Sequence, residues 1–433
     1  MSPIFIGIIG LIILFGLLAL GLPIGVGMAF VGFVGYWFMI SFQASFSVMS
    51  IIPFETVFNY TIASLPLFLI MAQVTFATGI GKDLFNLASK WLGHLPGGIA
   101  MASVGACAIF AAVSASSLAT AATMGLIALP EMKRYKYDPM LSTGSIAAGG
   151  TIGILIPPSG MLIIYGVLTE QSIGKLFMAG LIPGILEALF YIITIYIMCF
   201  WKPNLGPPGP RSSLKEKIAA FGSCGEILAL VALVLGGLII GWFTPTEAGA
   251  VGAFGAILFP LIRKRLTWSM LIQAFIEAMK TTGMIYGIMI GALVFNYFIA
   301  VTQIPSTLAE VIGGLPLSPL VIMIVMLMVY LVLGCFLDAA AMIFLTIPVF
   351  FPLAVRLGFS PIWFGIIITR VVEMSMITPP IGISVYVVAG VAPDVPMSTI
   401  FKGIVPFFIA DIFHVTLLLL VPSVALFLPG LLS

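Results

Sequence analysis

A seven-residue pattern occurs twice in this chain and limits its fold more than any other feature. Ile154-Leu155-Ile156-Pro157-Pro158-Ser159-Gly160 returns as Met376-Ile377-Thr378-Pro379-Pro380-Ile381-Gly382, with the double prolines 222 residues apart in a chain of 433. Each lies inside a long apolar run. A proline pair in a membrane helix removes two backbone donors and frees carbonyls that lipid cannot satisfy. Such a break persists only where it is buried in protein or lines a cavity. Matched breaks in two halves of a chain point to the substrate site of a secondary transporter.

Composition supports the membrane reading. The chain is 61% hydrophobic and 7% charged, against about 25% charged in a soluble domain. Apolar stretches of about 20 residues, the length that spans a bilayer, follow one another almost throughout. An all-α integral membrane protein is expected, with the lipid bilayer as its solvent. A formal charge of +2 gives no footing for nucleic acid. Cys107, Cys199, Cys224 and Cys335 fall in or beside apolar segments, at spacings of neither a disulfide framework nor a zinc site, and read as buried small hydrophobes. The start is apolar from Pro3 without a basic n-region, so it reads as a retained span.

Full spans are expected at about 3–21, 24–41, 60–80, 141–165, 177–200, 224–243, 247–262, 281–303, 361–389 and 404–430. Two segments, 95–131 and 316–354, are nearly forty residues long, enough for two helices of roughly 17 residues each. Each has small or turn-forming residues at its middle, Ser114-Ala115-Ser116-Ser117 and Gly334-Cys335-Phe336-Leu337-Asp338, and reads as a re-entrant hairpin. Lys82 and Lys90 before the first hairpin, and Lys133, Arg134 and Lys136 after it, place its open end in the cytoplasm by the positive-inside rule. From Pro305 to Pro361 the only basic residue is Arg356, so the second hairpin opens outward. Residues 202–217 and Arg263-Lys264-Arg265 are basic and cytoplasmic. Counting through gives ten spans with both termini outside.

The second half then repeats the first upside down. Gly25, Ala29 and Phe30 answer to Gly249, Ala253 and Phe254; Leu95-Pro96 to Leu315-Pro316; Ile182-Pro183 to Val405-Pro406; Glu187 to Asp411. Their common order and nearly constant shift carry the inference. The expected layout is scaffold spans in 1–60, a first transport repeat in 61–201 with hairpin 95–131 and broken helix 141–165, and a cytoplasmic linker at 202–222. Scaffold spans and an interfacial helix at 266–280 follow in 223–280, and a second transport repeat in 281–433 with hairpin 316–354 and broken helix 361–389.

No catalytic constellation is visible, and no nucleotide-binding P-loop, so the energy for transport must come from elsewhere. The breaks and hairpin tips instead gather oxygens. Ser114, Ser116, Ser117, Thr120, Thr123, Thr151 and Ser159 lie in one half, and Asp338, Thr346, Ser375, Thr378 and Ser384 in the other. Small hard cations prefer such ligands, and half-helix N-termini favour anions. Ser and Thr also simply pack membrane helices, but a tip set against a break, occurring twice, favours ion binding. Asp338, Arg370 and Glu373 are charges at membrane depth, hence turned to protein or water. Arg370 and Glu373, three apart on one helix, are placed either to pair locally or to contact the substrate. Glu187 and Asp411 are expected to meet loop cations or a partner subunit. Glu247, at a helix start, suits the helix dipole.

These motifs resemble the large membrane (M) subunit of a tripartite ATP-independent periplasmic (TRAP) transporter. The resemblance rests on Gly149-Gly150-Thr151-Ile152-Gly153-Ile154-Leu155-Ile156-Pro157-Pro158-Ser159, on Thr244-Pro245-Thr246-Glu247-Ala248, on Gly334-Cys335-Phe336-Leu337-Asp338, and on Glu373-Met374-Ser375-Met376-Ile377-Thr378-Pro379-Pro380-Ile381-Gly382. Ser116-Ser117 with Ala119-Thr120-Ala121-Ala122 is similar to the family's first hairpin tip. The resemblance implies sodium-driven uptake of an organic acid, such as a C4-dicarboxylate or sialic acid, across a bacterial inner membrane. It implies an extracytoplasmic solute-binding protein and a small four-span membrane subunit, here expected as a separate chain. It implies an elevator in which hairpins and broken helices move against a fixed scaffold. Sodium ligands carry over to Ser114, Ser116, Ile156 and Pro157 in one half, and to Gly334, Asp338, Thr378 and Pro379 in the other. The solute carboxylate is expected near Ser116, Ser159, Asp338 and Ser384. The competing readings are a sodium-coupled anion carrier that needs no binding protein, a channel, and a membrane scaffold or intramembrane enzyme.

Overall fold

The structure, a computed structural model, describes residues 2–114, 116–313 and 316–431. Ala115 of the first expected hairpin tip and Leu315 of the repeated Leu-Pro pair lie outside them. All regular structure among the described residues is helical. One half runs through Pro3–Ala19, Ile24–Met39, Phe42–Phe58, Ser64–Ala77 and Ile80–Leu92 to a helical hairpin, Gly98–Ser114 with Ser117–Arg134. A broken helix follows, Pro139–Thr151 with Gly160–Leu168, and then Ile173–Trp201. The other half runs through Leu214–Ile240, Pro245–Ile262, Trp268–Val301 and Ile304–Gly313 to a second hairpin, Pro319–Leu333 with Ala339–Arg356. Its broken helix is Pro361–Ser375 with Ile383–Val391, followed by Met397–Leu420 and Ser423–Gly430.

The breaks follow from the residues. Pro157 and Pro158 have no N–H to extend the first helix, which tightens into a 3-10 turn at Ile152–Ile154 and stops. Both double-proline bonds are cis. Ser159 restarts the chain as an N-cap, its hydroxyl accepting from Leu162 N. In the second break Gly382 does so with φ +56, a left-handed conformation suited to glycine. The hairpins turn on the same chemistry: Ser116 caps Ala119 N, and Asp338 caps Ala341 N at 2.8 Å.

Several expected boundaries move. Among the described residues six helices are long and apolar enough to cross a membrane, or seven if the pair Ser64–Ala77 and Ile80–Leu92, bent by 70°, is one span. The expected breaks within 141–165 and 361–389 are present, while the single span expected at 404–430 divides at Val421. The helix at 80–92 replaces an expected loop: Gly79 at φ +72 makes the bend, and a charged face masks the apolar one. Residues 42–58, read as a connection, are helical and start on a Ser41 cap. The expected interfacial helix at 266–280 and the span after it are one helix of 34 residues, Trp268–Val301. At 1.5 Å per residue it is about 51 Å long, well beyond a ~30 Å hydrocarbon core. The linker ends sooner than 222, because Ser213 and Glu216 form a capping box that starts the next helix at Leu214. Thr244 and Glu247 form another, the structural role expected of Glu247.

The halves interlock. Ile24–Met39 packs on Trp268–Val301, and Pro245–Ile262 packs on Ser64–Ala77, each helix lying against the other half. Gly25 and Gly249 occupy equivalent places in these contacts. A Cβ on Gly291 would fall 2.0 Å from the Gly25 carbonyl oxygen, and one on Gly249 lies 3.3 Å from that of Ser64. The broken helices run antiparallel. Tyr165 near the end of the first donates to the Pro361 carbonyl at the start of the second, at 2.6 Å. At the opposite end Lys133, just before the first, pairs with Asp394, just after the second. The linker straps the base of the first hairpin: Gly97 N donates to Gly206 O, Asp138 N to Leu205 O, and Gly209 N to Gly93 O.

A buried ion cluster joins the halves at their centre. Arg370 is fully buried, its guanidinium bonded to Asp411, donating to His414 Nδ1 at 3.1 Å and lying 3.5 Å from Glu187. Tyr191 donates to Asp411 at 2.6 Å, and Thr151 to Glu187 at 3.3 Å. This corrects two expectations. Arg370 does not pair with Glu373; long-range partners on Ile173–Trp201 and Met397–Leu420 take its charge. Glu187 and Asp411 meet neither loop cations nor an outside subunit but this one buried cation. The matched acids of the two halves grip a single arginine.

Two stability predictions follow. Gly291→Ala should destabilise the detergent-solubilised protein by about 1–3 kcal/mol through overpacking, whereas Gly283→Ala, where a Cβ meets nothing, should be neutral or better; thermal unfolding of both tests it, and equal effects would sink the close-packing argument. Arg370→Met should cost about 3–5 kcal/mol by leaving two acids without a cation, read from the same unfolding curves. A loss under about 1 kcal/mol would mean the acids do not depend on it.

Candidate functional site

Three helices begin at one cavity. It holds about 250 Å³ and lies between the hairpin tips and the first break. Ser116, Ser117 and Leu118 line it from the first hairpin, Gly160 and Met161 from the first broken helix, and Asp338, Ala339 and Ala340 from the second hairpin. In each case the N-cap side chain takes the amide of the third helical residue: Ser116 that of Ala119, Ser159 that of Leu162, Asp338 that of Ala341. The first two helical residues of all three helices line the cavity, joined in Gly160–Leu168 by Ile163 and Ile164. Uncapped first-turn amides and the positive ends of helix dipoles favour anions. No Lys, Arg or His is among the lining residues, so any anion here is met by dipoles and neutral donors.

The two walls differ. Polar groups come from the hairpins and the second broken helix: Ser116, Ser117, Asp338 and Glu373. The facing wall, from Ser64–Ala77 and Trp268–Val301, is Leu65, Phe68, Leu69, Met284, Ile285 and Ile288, with Thr281 its one polar residue. A larger cleft of about 620 Å³, lined by Lys82, Lys90, Arg134, Tyr135 and Gly209 among others, sits at the base of the first hairpin, away from the breaks.

Of the residues expected to hold solute, Ser116 and Asp338 reach this cavity. Ser159 and Ser384 do not line it: Ser159 is buried and spent on its cap, and Ser384 is buried with its hydroxyl unpartnered. The expected sodium ligands form two groups of oxygens. In the first, the hydroxyls of Ser114 and Thr120 are 2.7 Å apart, and Ser114 reaches the Ser116 carbonyl at 3.5 Å; Ile156 and Pro157 are buried in the adjacent break. In the second, the hairpin tip touches the break directly. Cys335 donates to the Pro379 carbonyl at 3.6 Å, and Gly334 sits so close to Ser375 that no side chain fits. Thr378 donates to the Met374 carbonyl, which leaves its oxygen lone pairs able to accept a cation. Hydroxyl and carbonyl oxygens at helix ends are a donor set of the kind hard cations take. No group of three or more His, Cys, Asp or Glu suited to a transition metal occurs among the described residues.

Glu373, open from the sequence to either a local pair or a substrate contact, and Ser117, one of the candidate oxygens of the first half, both line the cavity.

The chain can now be set beside known proteins. Residues 11–424 match the family described as tripartite ATP-independent periplasmic transporter, DctM component. The C4-dicarboxylate TRAP transporter large permease protein DctM of Pseudomonas aeruginosa is 36% identical over 378 residues, 87% of this chain and 88% of that one. The sialic acid TRAP transporter large permease protein SiaM of Vibrio cholerae is 30% identical over 417 residues, 96% of each. The crystal structure of the Alcanivorax borkumensis YdaH transporter has a similar fold, with a TM-score of 0.57, 15% identity, and coverage of 86% of this chain and 88% of that one. Such relatives are permeases and not enzymes. Because the match and the identities extend across most of the chain, it belongs to the DctM component of the tripartite ATP-independent periplasmic transporters, the large permease.

Proposed function

We propose that this permease takes up a small organic acid, of the C4-dicarboxylate or sialic acid class, across the bacterial inner membrane at the expense of a sodium gradient. The observation that carries the anion reading is the convergence of three helix N-termini on a cavity without a basic side chain. The solute carboxylate then lies among the first-turn amides of Ser117–Arg134, Gly160–Leu168 and Ala339–Arg356, with Ser116 beside it. An extracytoplasmic binding protein delivers the solute, and a small four-span subunit completes the membrane part, in keeping with the tripartite family.

Sodium sits at the two junctions of hairpin tip and break. Ser114, Ser116, Ile156 and Pro157 supply oxygens at the first, and Gly334, Asp338, Thr378 and Pro379 at the second, with carbonyls serving where the side chain is apolar. Asp338 spends one oxygen on Ala341 N and keeps the other for the ion. A cation there offsets the charge that Asp338 would otherwise set against an anionic solute.

Movement follows the division of the walls. The solute's polar contacts belong to the hairpins and broken helices, while the opposing wall is nearly all apolar. A smooth apolar face holds no fixed hydrogen bonds, so the polar group of elements can slide along it as an elevator without unmaking the site. The two halves act as inverted repeats, which is why the breaks are antiparallel.

Two measurements test this reading. In liposomes carrying the permease with its small subunit, uptake of labelled succinate or sialic acid should require both the binding protein and an inward sodium gradient. Uptake with sodium but without the binding protein would move the reading to an independent carrier, and sodium-independent uptake would overturn the coupling. The double variant Ser116→Ala/Thr378→Val should raise the sodium concentration for half-maximal uptake by about tenfold or more; an unchanged sodium dependence would remove both residues from the ion sites.

A further inference from the structure

Glu373 is a buried acid with no cation paired to it among the described residues. It lies in the last turn of Pro361–Ser375, is 1% exposed, and has no hydrogen-bond partner for either carboxyl oxygen among the described residues. It lines the cavity together with Ser117, whose buried hydroxyl lies close enough to its carboxyl to interact and meets no other partner. The other titratable groups on the elements around it are committed. Arg370, on its own helix, is engaged by Asp411, Glu187 and His414. Asp411 also accepts from Tyr191, and Glu187 from Thr151. His414 accepts from the guanidinium through Nδ1 and is therefore neutral. Asp338 caps Ala341 N, Tyr165 donates to the Pro361 carbonyl, and Tyr330 is bonded to Thr346.

Two electrostatic facts then bear on Glu373. Glu187 and Asp411 already outnumber the one arginine, so an ionised Glu373 would be a third buried negative charge without a counter-ion, which is costly. It would also face the anion that the three helix ends are arranged to hold. The neutral acid avoids both costs and offers an O–H where the cavity otherwise has few side-chain donors; an apolar site can keep a carboxylic acid in that form for this use.

We propose that Glu373 is a solute-binding residue that works as the neutral acid, donating a hydrogen bond to the solute carboxylate with the Ser117 hydroxyl as a second donor. The proton stays on the Glu373 oxygen, and no covalent step is involved. The inference rests on the anion-uptake reading above and deepens it: the site recognises a carboxylate through neutral donors alone.

The test is the pH dependence of KM for labelled succinate or sialic acid in the same liposomes, for the wild type, Glu373→Gln and Glu373→Leu. Wild-type KM should rise severalfold as the pH is raised far enough for the donor to be lost. The Gln variant keeps the shape and a donor that does not titrate, so its KM should lie within about threefold of wild type at pH 6 and stay flat. The Leu variant should raise KM about tenfold or more at every pH with little change in kcat. Parallel profiles for wild type and Gln would place the titrating group elsewhere and overturn the proposal. A Gln variant that loses uptake or its sodium dependence would show that the carboxylate serves a cation instead. A Leu variant with wild-type KM would remove the contact. Absence of wild-type uptake for both probes would count against the functional reading itself, whereas wild-type uptake with any of these three outcomes overturns only the role of Glu373.

Discussion

Backbone hydrogen bonding in a place without water is the constraint from which the rest of this structure follows. Lipid cannot serve an unpaired amide or carbonyl, so a helix interrupted at membrane depth must be enclosed by protein. This chain interrupts helices at Pro157-Pro158 and Pro379-Pro380 and turns two hairpins at similar depth in the sequence pattern. Three of these four restarting ends meet at one cavity, whereas the start of Ile383–Val391 is not on its lining. Each of the three N-caps satisfies one amide and leaves the first two helical residues on a common cavity. Broken ends that would be a defect elsewhere thereby become the lining of a cavity.

Holding those ends in register requires that the two halves not drift apart. Backbone contact does part of this at Gly25 against Gly291, where any side chain would collide. The Arg370 cluster does another part with charge. A buried ion pair is weak evidence for net stability, because desolvation offsets much of the attraction. Its use here is better read as specificity: Glu187 from one half and Asp411 from the other can both be compensated only in the one arrangement that brings them to the same guanidinium. Tyr191 and Thr151 add bonds that fix the carboxylates' orientation.

Much of this was legible in the sequence because the governing signals are local and discrete. Double prolines, the Ser114 to Ser117 stretch and Gly334 mark breaks and turns whatever surrounds them, and their repetition showed the two-fold plan. Gly25 and Gly249 were visible as a pair, though not the contacts they make. What escaped falls into two physical classes. Helix 42–58 was missed because Gln43, its serines, Pro53 and Glu55 interrupt the apolar run, and 80–92 because Gly79 disguised a bend as an end. The partners of Arg370 were missed because charge pairing was sought along one helix. Asp411 is 41 residues away and Tyr191 is 179, separations that only the folded backbone closes. With Arg370 taken by them, Glu373 is left on the cavity lining.

A transporter has to release what it binds, and that bears on why the cavity lacks a fixed positive charge. Lys or Arg opposite a carboxylate in a low-dielectric site makes an interaction that is strong with or without a coupling ion. Helix ends and hydroxyls give a weaker, directional hold. On the proposed reading, the missing positive charge arrives with sodium at the two tips and leaves with it. Solute affinity is then conditional on the ion, and by reciprocity ion affinity is conditional on the solute. Coupling of the two gradients needs no dedicated switch beyond this shared electrostatic balance. An added basic residue would strengthen binding yet weaken that dependence, which is a physical reason for a carboxylate site built from dipoles, hydroxyls and one neutral acid.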